Sequence, residues 1–343
     1  MREMAAVLVA CVVAGSAAAW PTWLGGRAEP PAVTVAAVGD IMLDRRVART
    51  MQRKGPAGMV VGICHLLSGA DLATGNLECP LAEKSGRLEK PIAFRGSPRA
   101  VKALVEGGLT VVSLANNHAL DCGRDGLRET MGVLAKSGLR WCGAGVDRRA
   151  AERPAVIAVR GRRVAFVGFC EFPEGERKWD HTPTIALAEE ETVRRVVAEA
   201  KDQADSVVAS FHWGEEYDDR PNRLQRRLAM AAVEAGADLV VGCHPHVLQG
   251  FEVVAKGGRR ALVAYSLGNF LFDQKRERTR ESVVLRVTLG RGGVTEANLV
   301  PVTVDGARPR PATTEEARVS LARLTKLCKQ LHTDLKGSAL VLP

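Results

Sequence analysis

The 343-residue chain reads as an α/β protein built on a mixed sheet. Three observations carry this. Short apolar runs alternate with helix-like stretches, three pairs of apolar runs are joined by short polar or Gly-rich turns, and five runs end directly in side chains able to bind metal.

Taken in order, residues 1–19 read as a signal peptide or N-terminal anchor: Arg2, an apolar stretch from Met4 to Gly15, then Ser16-Ala17-Ala18-Ala19 as a cleavage site. The apolar character from Met4 to Leu24 is also about long enough to span a bilayer, so the protein is expected to be exported, periplasmic or extracytoplasmic, with or without an anchor. Leu8-Val9-Ala10-Cys11 matches a lipoprotein box but stands early in the run. Residues 20–31, with Pro, Gly and Thr, form a linker, residues 32–305 the main domain, and residues 306–343 a tail with a helix from about Glu315 to Leu331.

Within the domain, strands are expected at Val33–Val38, Asp71–Thr74, Thr110–Leu114, Ser206–Phe211 and Asp238–Val241. Helices are expected at Arg45–Arg53, from Ser97 as cap through Val105, at Asp125–Lys136 before Gly138, and at Asn222–Ala235 before Gly236. Hairpins are expected at Ala155–Val159 with Val164–Phe169, Phe251–Val254 with Ala261–Tyr265, and Val283–Leu289 with Val294–Val304. Hairpins among β/α units argue for a mixed sheet or two stacked sheets over a purely parallel one.

Composition narrows the function. The formal charge is +9, and removal of residues 1–19 takes away one Arg and one Glu and leaves it there. A basic surface favours anionic partners. Basic residues are not interleaved with aromatics, so nucleic acid is set aside. Cys11 apart, seven cysteines show no Cys-x-x-Cys spacing, which disfavours a zinc ribbon and leaves small buried hydrophobes or disulfides.

The chemistry concentrates at five strand ends: Val38-Gly39-Asp40, Gly75-Asn76-Leu77-Glu78, Leu114-Ala115-Asn116-Asn117-His118, Phe211-His212-Trp213-Gly214, and Gly242-Cys243-His244-Pro245-His246. Each alone has an ordinary explanation, since a Gly-Asp is a common turn and a lone His is often a satisfied core residue. Ligands in α/β sheets collect beyond the carboxyl ends of strands, so five such ends converge on one crevice. Two carboxylates, amides and four imidazoles suit a pair of Mn, Zn or Fe ions better than Ca or Mg.

These segments, together with Asp121 and Gly123, Glu216-Tyr217, Gly236-Ala237-Asp238, Gln249-Gly250 and Tyr265-Ser266-Leu267-Gly268-Asn269-Phe270, resemble the CapA family of capsule or poly-γ-glutamate synthesis proteins, from about Val33 to Asp273. The resemblance implies a four-layer α/β/β/α sandwich of the metallo-dependent phosphatase type with two divalent metal ions. It implies Asp40 and His246 on one ion, Asn117, His212 and His244 on the other, and Glu78 as the bridge. His118 would protonate a leaving group or stabilise the transferring phosphoryl, and Asn76, Asn116, Glu216 and Asn269 would line the substrate side. Two departures stand out: Asp40-Ile41-Met42 where many superfamily members carry Asp-x-His, and Asn76-x-Glu78 where a bridging Asp is usual. The implied partners are an anionic polymer or phosphoester substrate and membrane-bound capsule synthesis proteins. Metal-dependent phosphoester hydrolysis is the expected activity, against a non-catalytic polymer-binding or assembly subunit or a periplasmic phosphatase unconnected with capsule.

Overall fold

The computed structural model describes residues 30–172 and 184–342, so the expected signal or anchor at 1–19 and nearly all of the linker lie outside the described residues. Four parallel strands form the first half of the sheet: β1 (Val33–Ile41), β2 (Leu72–Leu77), β3 (Val111–Ser113) and β4 (Arg140–Cys142). Their crossovers carry α1 (Arg45–Lys54), α2 (Ala57–Val60), α3 (Cys64–Ser68), α4 (Val101–Glu106) and α5 (Gly123–Ser137). A short strand β5 (Ala144–Gly145) and α6 (Arg148–Ala151) lead to the first hairpin, β6 (Ala155–Val159) and β7 (Arg162–Cys170).

Beyond it come β8 (Thr184–Ile185), which pairs with β5, then α7 (Glu190–Gln203), β9 (Ser206–His212), α8 (Arg223–Ala235) and β10 (Leu239–Cys243). The second hairpin is β11 (Phe251–Lys256) with β12 (Arg259–Ala264). Strands β7, β9, β10 and β12 are a second parallel set. After β13 (Asn269–Leu271), the long third hairpin β14 (Glu281–Gly290) and β15 (Gly293–Asp305) joins the two sets, antiparallel to β1 on one side and parallel to β12 on the other. The order along the sheet is β4-β3-β2-β1-β14-β15-β12-β10-β9-β7-β6, so the architecture is mixed α/β around one large sheet.

Alternation along the strands explains how the sheet buries both faces. In β1, Val33, Val35 and Ala37 enter one apolar cluster while Ala36 and Val38 enter another. In β7 and β9, Val164, Phe166 and Val208 join that first cluster, whereas Ala165, Val167, Val207 and Ala209 pack with α7 and α8 residues. A two-residue side-chain period sends successive residues to opposite faces. Both halves thus share one cluster and each has its own second cluster under helices. Each buried Val, Leu or Phe contributes about 1.5–3 kcal/mol before the entropy of ordering it.

The three expected hairpins form, and the helix expected at Asn222–Ala235 is α8, opened by a capping box between Asn222 and Gln225 and closed by Gly236. Several boundaries shift. The strand expected at Asp71–Thr74 runs from Leu72 to Leu77, and the helix expected after Ser97 begins as a 3-10 turn, Pro98–Ala100. Neither β4 nor α7 was among the expected elements. The first has only three residues, and no side chain caps the start of the second, although Val193, Val196, Val197 and Ala200 keep a helical period.

Residues after β15 are woven into the body. Strand β16 (Arg308–Pro311) pairs with β15, and α9 (Thr314–Lys329) starts at a capping box between Thr313 and Glu316 and buries Leu324 and Cys328 in the cluster shared by both halves. Strands β17 (Leu335–Lys336) and β18 (Ala339–Leu340) pair with each other, and β18 pairs with β15. Cys64, Cys79, Cys122, Cys142, Cys170, Cys243 and Cys328 are all free thiols, six of them buried, which is the small-hydrophobe reading rather than disulfides. Among the described residues no helix is long and apolar enough to cross a membrane.

Candidate metal centre

The carboxyl ends of β1, β2, β3, β9 and β10 meet at one place. Parallel pairing sets Asp40 beside Asn76 and Asn76 beside Ser113, three residues before Asn116, while His212 on β9 lies beside Cys243 on β10. Two glycines let the backbones close up. A Cβ on Gly39 would lie 1.8 Å from the Gly268 carbonyl oxygen, and one on Gly242 would lie 1.9 Å from that of Tyr265. Any side chain at either place would push its strand end, and the acid or imidazole just beyond it, out of position. His244 and His246 have φ of 95° and 59°, in the left-handed region that a non-glycine residue adopts at a cost of about 1–3 kcal/mol. Both histidines of the His-Pro-His turn bring their rings into the cluster, His246 beside Asp40 and Glu78 and His244 beside His212, and the His244 N–H donates to Asp40 Oδ2 (3.1 Å).

Glu78 is the centre. It is fully buried, and neither carboxylate oxygen has a hydrogen-bond partner. Its Oε1 lies 3.8 Å from His212 Nε2, 3.8 Å from His246 Nε2 and 3.9 Å from His118 Nε2. Those gaps are too long for hydrogen bonds. They match the spacing of two atoms that share one ion, each about 2.0–2.2 Å from it. Two groups of potential ligands result, Asp40 with Glu78 and His246, and Glu78 with His212 and His244, and Glu78 belongs to both. Asn117 joins the second group: its Oδ1 lies 3.0 Å from His212 Nε2, which is 3.1 Å from His244 Nδ1.

Electrostatics point the same way. Burial, then the charge of Asp40, pushes the Glu78 carboxyl well above the usual range. Burial also opposes the charge of Asp40, but the His246 imidazole 3.2 Å away, helped by the Asn76 amide, holds that carboxyl below the usual range. Burial, then neighbouring His244, holds His212 well below an ordinary imidazole, and burial followed by His246 takes His244 down to about 3. Neutral imidazoles beside carboxylates, one of which has nothing to satisfy it, are the donor set a divalent cation needs.

The residues expected on the substrate side divide. Asn76, Asn116 and Asn269 are 3%, 1% and 0% exposed, and their amides hold other site residues rather than face a substrate. Asn76 Nδ2 donates to Asp40 Oδ1 (2.8 Å) and lies 3.1 Å from His212 Nδ1, while Asn116 Nδ2 donates to Asn76 Oδ1 (3.1 Å). Asn269 Oδ1 is 2.9 Å from His246 Nδ1, which leaves Nε2 turned to Glu78. Glu216 is exposed near the mouth, close enough for its charge to contribute to the raised pKa of Glu78.

Four residues with parts in the site were not singled out for it. Asp121 Oδ2 lies 2.7 Å from His118 Nδ1 and also accepts the Phe94 N–H, and its other oxygen pairs with Lys90. Phe94 packs at a tilt on His118, 4.2 Å between ring centres, and Phe172 likewise on His244 at 4.3 Å. Spacing offered a signal for Asp121 alone, three residues after His118; the aromatics come from distant loops.

A mixed α/β fold with a two-lobed carboxylate and imidazole cluster at its strand ends defines a protein with a candidate metal centre. The model of the family described as bacterial capsule synthesis protein PGA_cap matches residues 34–274, and the chain belongs to that family, which lies in the metallophosphatase-like superfamily. The chain is 35% identical over 321 residues to the capsule biosynthesis protein CapA of Bacillus anthracis, covering 91% of this chain and 76% of that one. It is also 35% identical over 298 residues to the PGA biosynthesis protein CapA of Bacillus subtilis (strain 168), covering 83% and 77%.

Proposed function

We propose that this capsule biosynthesis protein acts outside the cytoplasm as a metal-dependent phosphoester hydrolase, with a dinuclear site and a four-layer α/β/β/α sandwich around it. The layering is supported by the three apolar clusters, one shared between the two halves of the sheet and one under each set of helices. The observation that carries the activity is Glu78: a buried carboxylate without a hydrogen bond, set between two groups of imidazoles and acids.

Asp40 and His246 would hold one ion, Asn117, His212 and His244 the other, and Glu78 both. Divalent ions in such a site acidify water and neutralise charge on phosphoryl oxygens. The geometry around His118 supports a part for it in that reaction. Asp121 binds His118 at Nδ1, so Nε2 faces the cluster and is the atom that hands a proton to the departing oxygen. As water attacks phosphorus, a P–O bond forms, the ester P–O bond breaks, the leaving oxygen takes the His118 proton, and the proton shed by the water restores it. Phe94 against one face of the imidazole limits its movement and keeps water off that face.

Hydrolysis of a chromogenic phosphodiester or phosphomonoester, measured before and after chelation and after addition of Mn or Zn, tests this reading. Turnover that falls with chelator, returns with metal and drops about 100-fold in His118→Ala is expected. Polymer binding with no metal-dependent turnover on any phosphoester would favour an assembly subunit instead.

A further inference from the structure

The two groups of potential ligands are unequal. The second has two imidazoles, His212 and His244, with the Asn117 amide beside them, whereas the first has one imidazole, His246, with Asp40 and Glu78. Met42 adds nothing to the first group: it is buried, and its Sδ accepts the Asp44 N–H (3.1 Å). Whatever holds His246 therefore weighs most on the first group.

That residue is Asn269. Pairing of β13 with β1 sets it beside Asp40, fully buried. Its Nδ2 faces the Thr279 carbonyl (3.0 Å), Gln274 Oε1 (3.1 Å) and the His246 carbonyl (3.5 Å). Turned over, the amide would set its oxygen against these acceptors, so Oδ1 is the atom that meets His246 Nδ1 at 2.9 Å. An amide oxygen only accepts, so Nδ1 carries the ring proton and Nε2 keeps its lone pair on the side of Glu78. Asp40 Oδ2 lies 3.2 Å from the same Nδ1 and competes for that hydrogen bond. Asn269 takes it instead and leaves the carboxylate to an ion.

The acceptors that orient Asn269 belong to the loop after β13. Thr279 is fixed by a 3-10 turn, Glu277–Arg280, in which its N–H and hydroxyl both donate to the Arg276 carbonyl (3.0 and 2.7 Å). Gln274 Nε2 donates to the Tyr217 hydroxyl (3.4 Å), and the Tyr217 N–H donates to the carbonyl of Pro245, between the two site histidines (2.8 Å). The hydrogen bonds of His212 and His244, by contrast, run to Asn76, Asn117, Asp40 and each other.

We infer that Asn269 is a positioning residue that locks the His246 tautomer, and that through it the Asp273–Arg280 loop governs the ion on Asp40 and His246 but not the ion on His212 and His244. This inference rests on the proposed dinuclear reading, and its test does not depend on turnover.

The full chain, stripped of metal, would be titrated with Zn against a chromophoric chelator, which resolves two affinities. Asn269→Leu, similar in shape but without an acceptor, is expected to weaken one ion about 10- to 100-fold and leave the other unchanged, so that one equivalent survives dialysis. Asn269→Asp restores an acceptor at Nδ1 and is expected to recover most of the loss. Gln274→Ala should show a smaller loss on the same ion. In the metal-free wild type, nitrogen-15 NMR of the histidines should find the His246 proton on Nδ1. Two unchanged affinities in Asn269→Leu, equal loss of both ions, no recovery by Asn269→Asp, or a proton on Nε2 of His246 would each overturn the lock. If Asn269→Leu does not fold, Gln274→Ala, altered at a half-buried loop residue, decides by whether its loss falls on one ion. Wild type that binds two ions but never turns over would defeat the hydrolase reading alone.

Discussion

Glu78 sets the pH behaviour of the metal-free protein. Its folded pKa is raised, so its contribution to stability is full below about 4.5 and is lost as pH rises through the folded value. His244 has the opposite sign: its folded pKa is lowered to about 3 from 6.5, so its contribution is present above about 6.5 and is lost as pH falls from there toward 3. Urea midpoints in chelator are therefore expected to peak at mildly acidic pH. Glu78→Gln should flatten the decline of stability with rising pH, because an amide in its place does not titrate. Identical alkaline slopes for wild type and variant would refute this. The ligand types were legible in the sequence because each follows an apolar strand, and strand ends are where α/β sheets gather ligands. The hydrogen bonds of the amides were not legible, because sequence cannot show which way an Asn side chain turns.

At the scale of elements, the close approaches at Gly39 and Gly242 lead to a prediction for the strand ends. Gly39→Ala and Gly242→Ala each place a Cβ under 2 Å from a carbonyl oxygen, and each should cost about 2–4 kcal/mol by denaturant melts, with loss of metal. A variant within error of wild type would show that the backbones can part freely. The loop before Phe94 offers a second case. Glu129 on α5 accepts the N–H groups of Glu83, Lys84 and Ser85 and the Ser85 hydroxyl. Although burial opposes the charge, those bonds, led by that of the hydroxyl, bring its carboxyl down to about 2. Its support is thus present above about pH 4.5 and lost as pH falls toward 2, and Glu129→Ala should raise hydrogen exchange at residues 83–85 at neutral pH. Unchanged protection there would mean that the loop is held by other contacts. Caps and hairpin turns were legible because their chemistry is local, as at Ser97 and Gly236. The three-residue β4 was not, because its pairing with β3 lies in another part of the chain.

For the whole molecule, the order of the strands was the least legible feature. Joining two parallel sets through β14 and β15 depends on contacts between segments far apart in sequence, which no local period encodes. The tail belongs to this scale. Leu324 and Cys328 fill the cluster shared by both halves, Cys328 Sγ accepts the Phe251 N–H (3.3 Å) and Thr333 Oγ1 accepts the Val253 N–H (2.9 Å). Truncation after Asp305 is expected to expose that cluster and leave an insoluble or non-cooperatively unfolding chain, read by solubility and circular dichroism; a truncated chain with the wild-type melting curve would contradict it.

The most direct test is elemental analysis of the full chain, purified without chelator or nickel affinity, beside Glu78→Gln and His244→Ala. About two equivalents of transition metal per wild-type chain, with a marked loss in both variants that still fold, is the result expected of a dinuclear site that shares Glu78. Wild type with no bound metal after incubation with Mn, Zn or Fe, or variants that retain two equivalents, would contradict it.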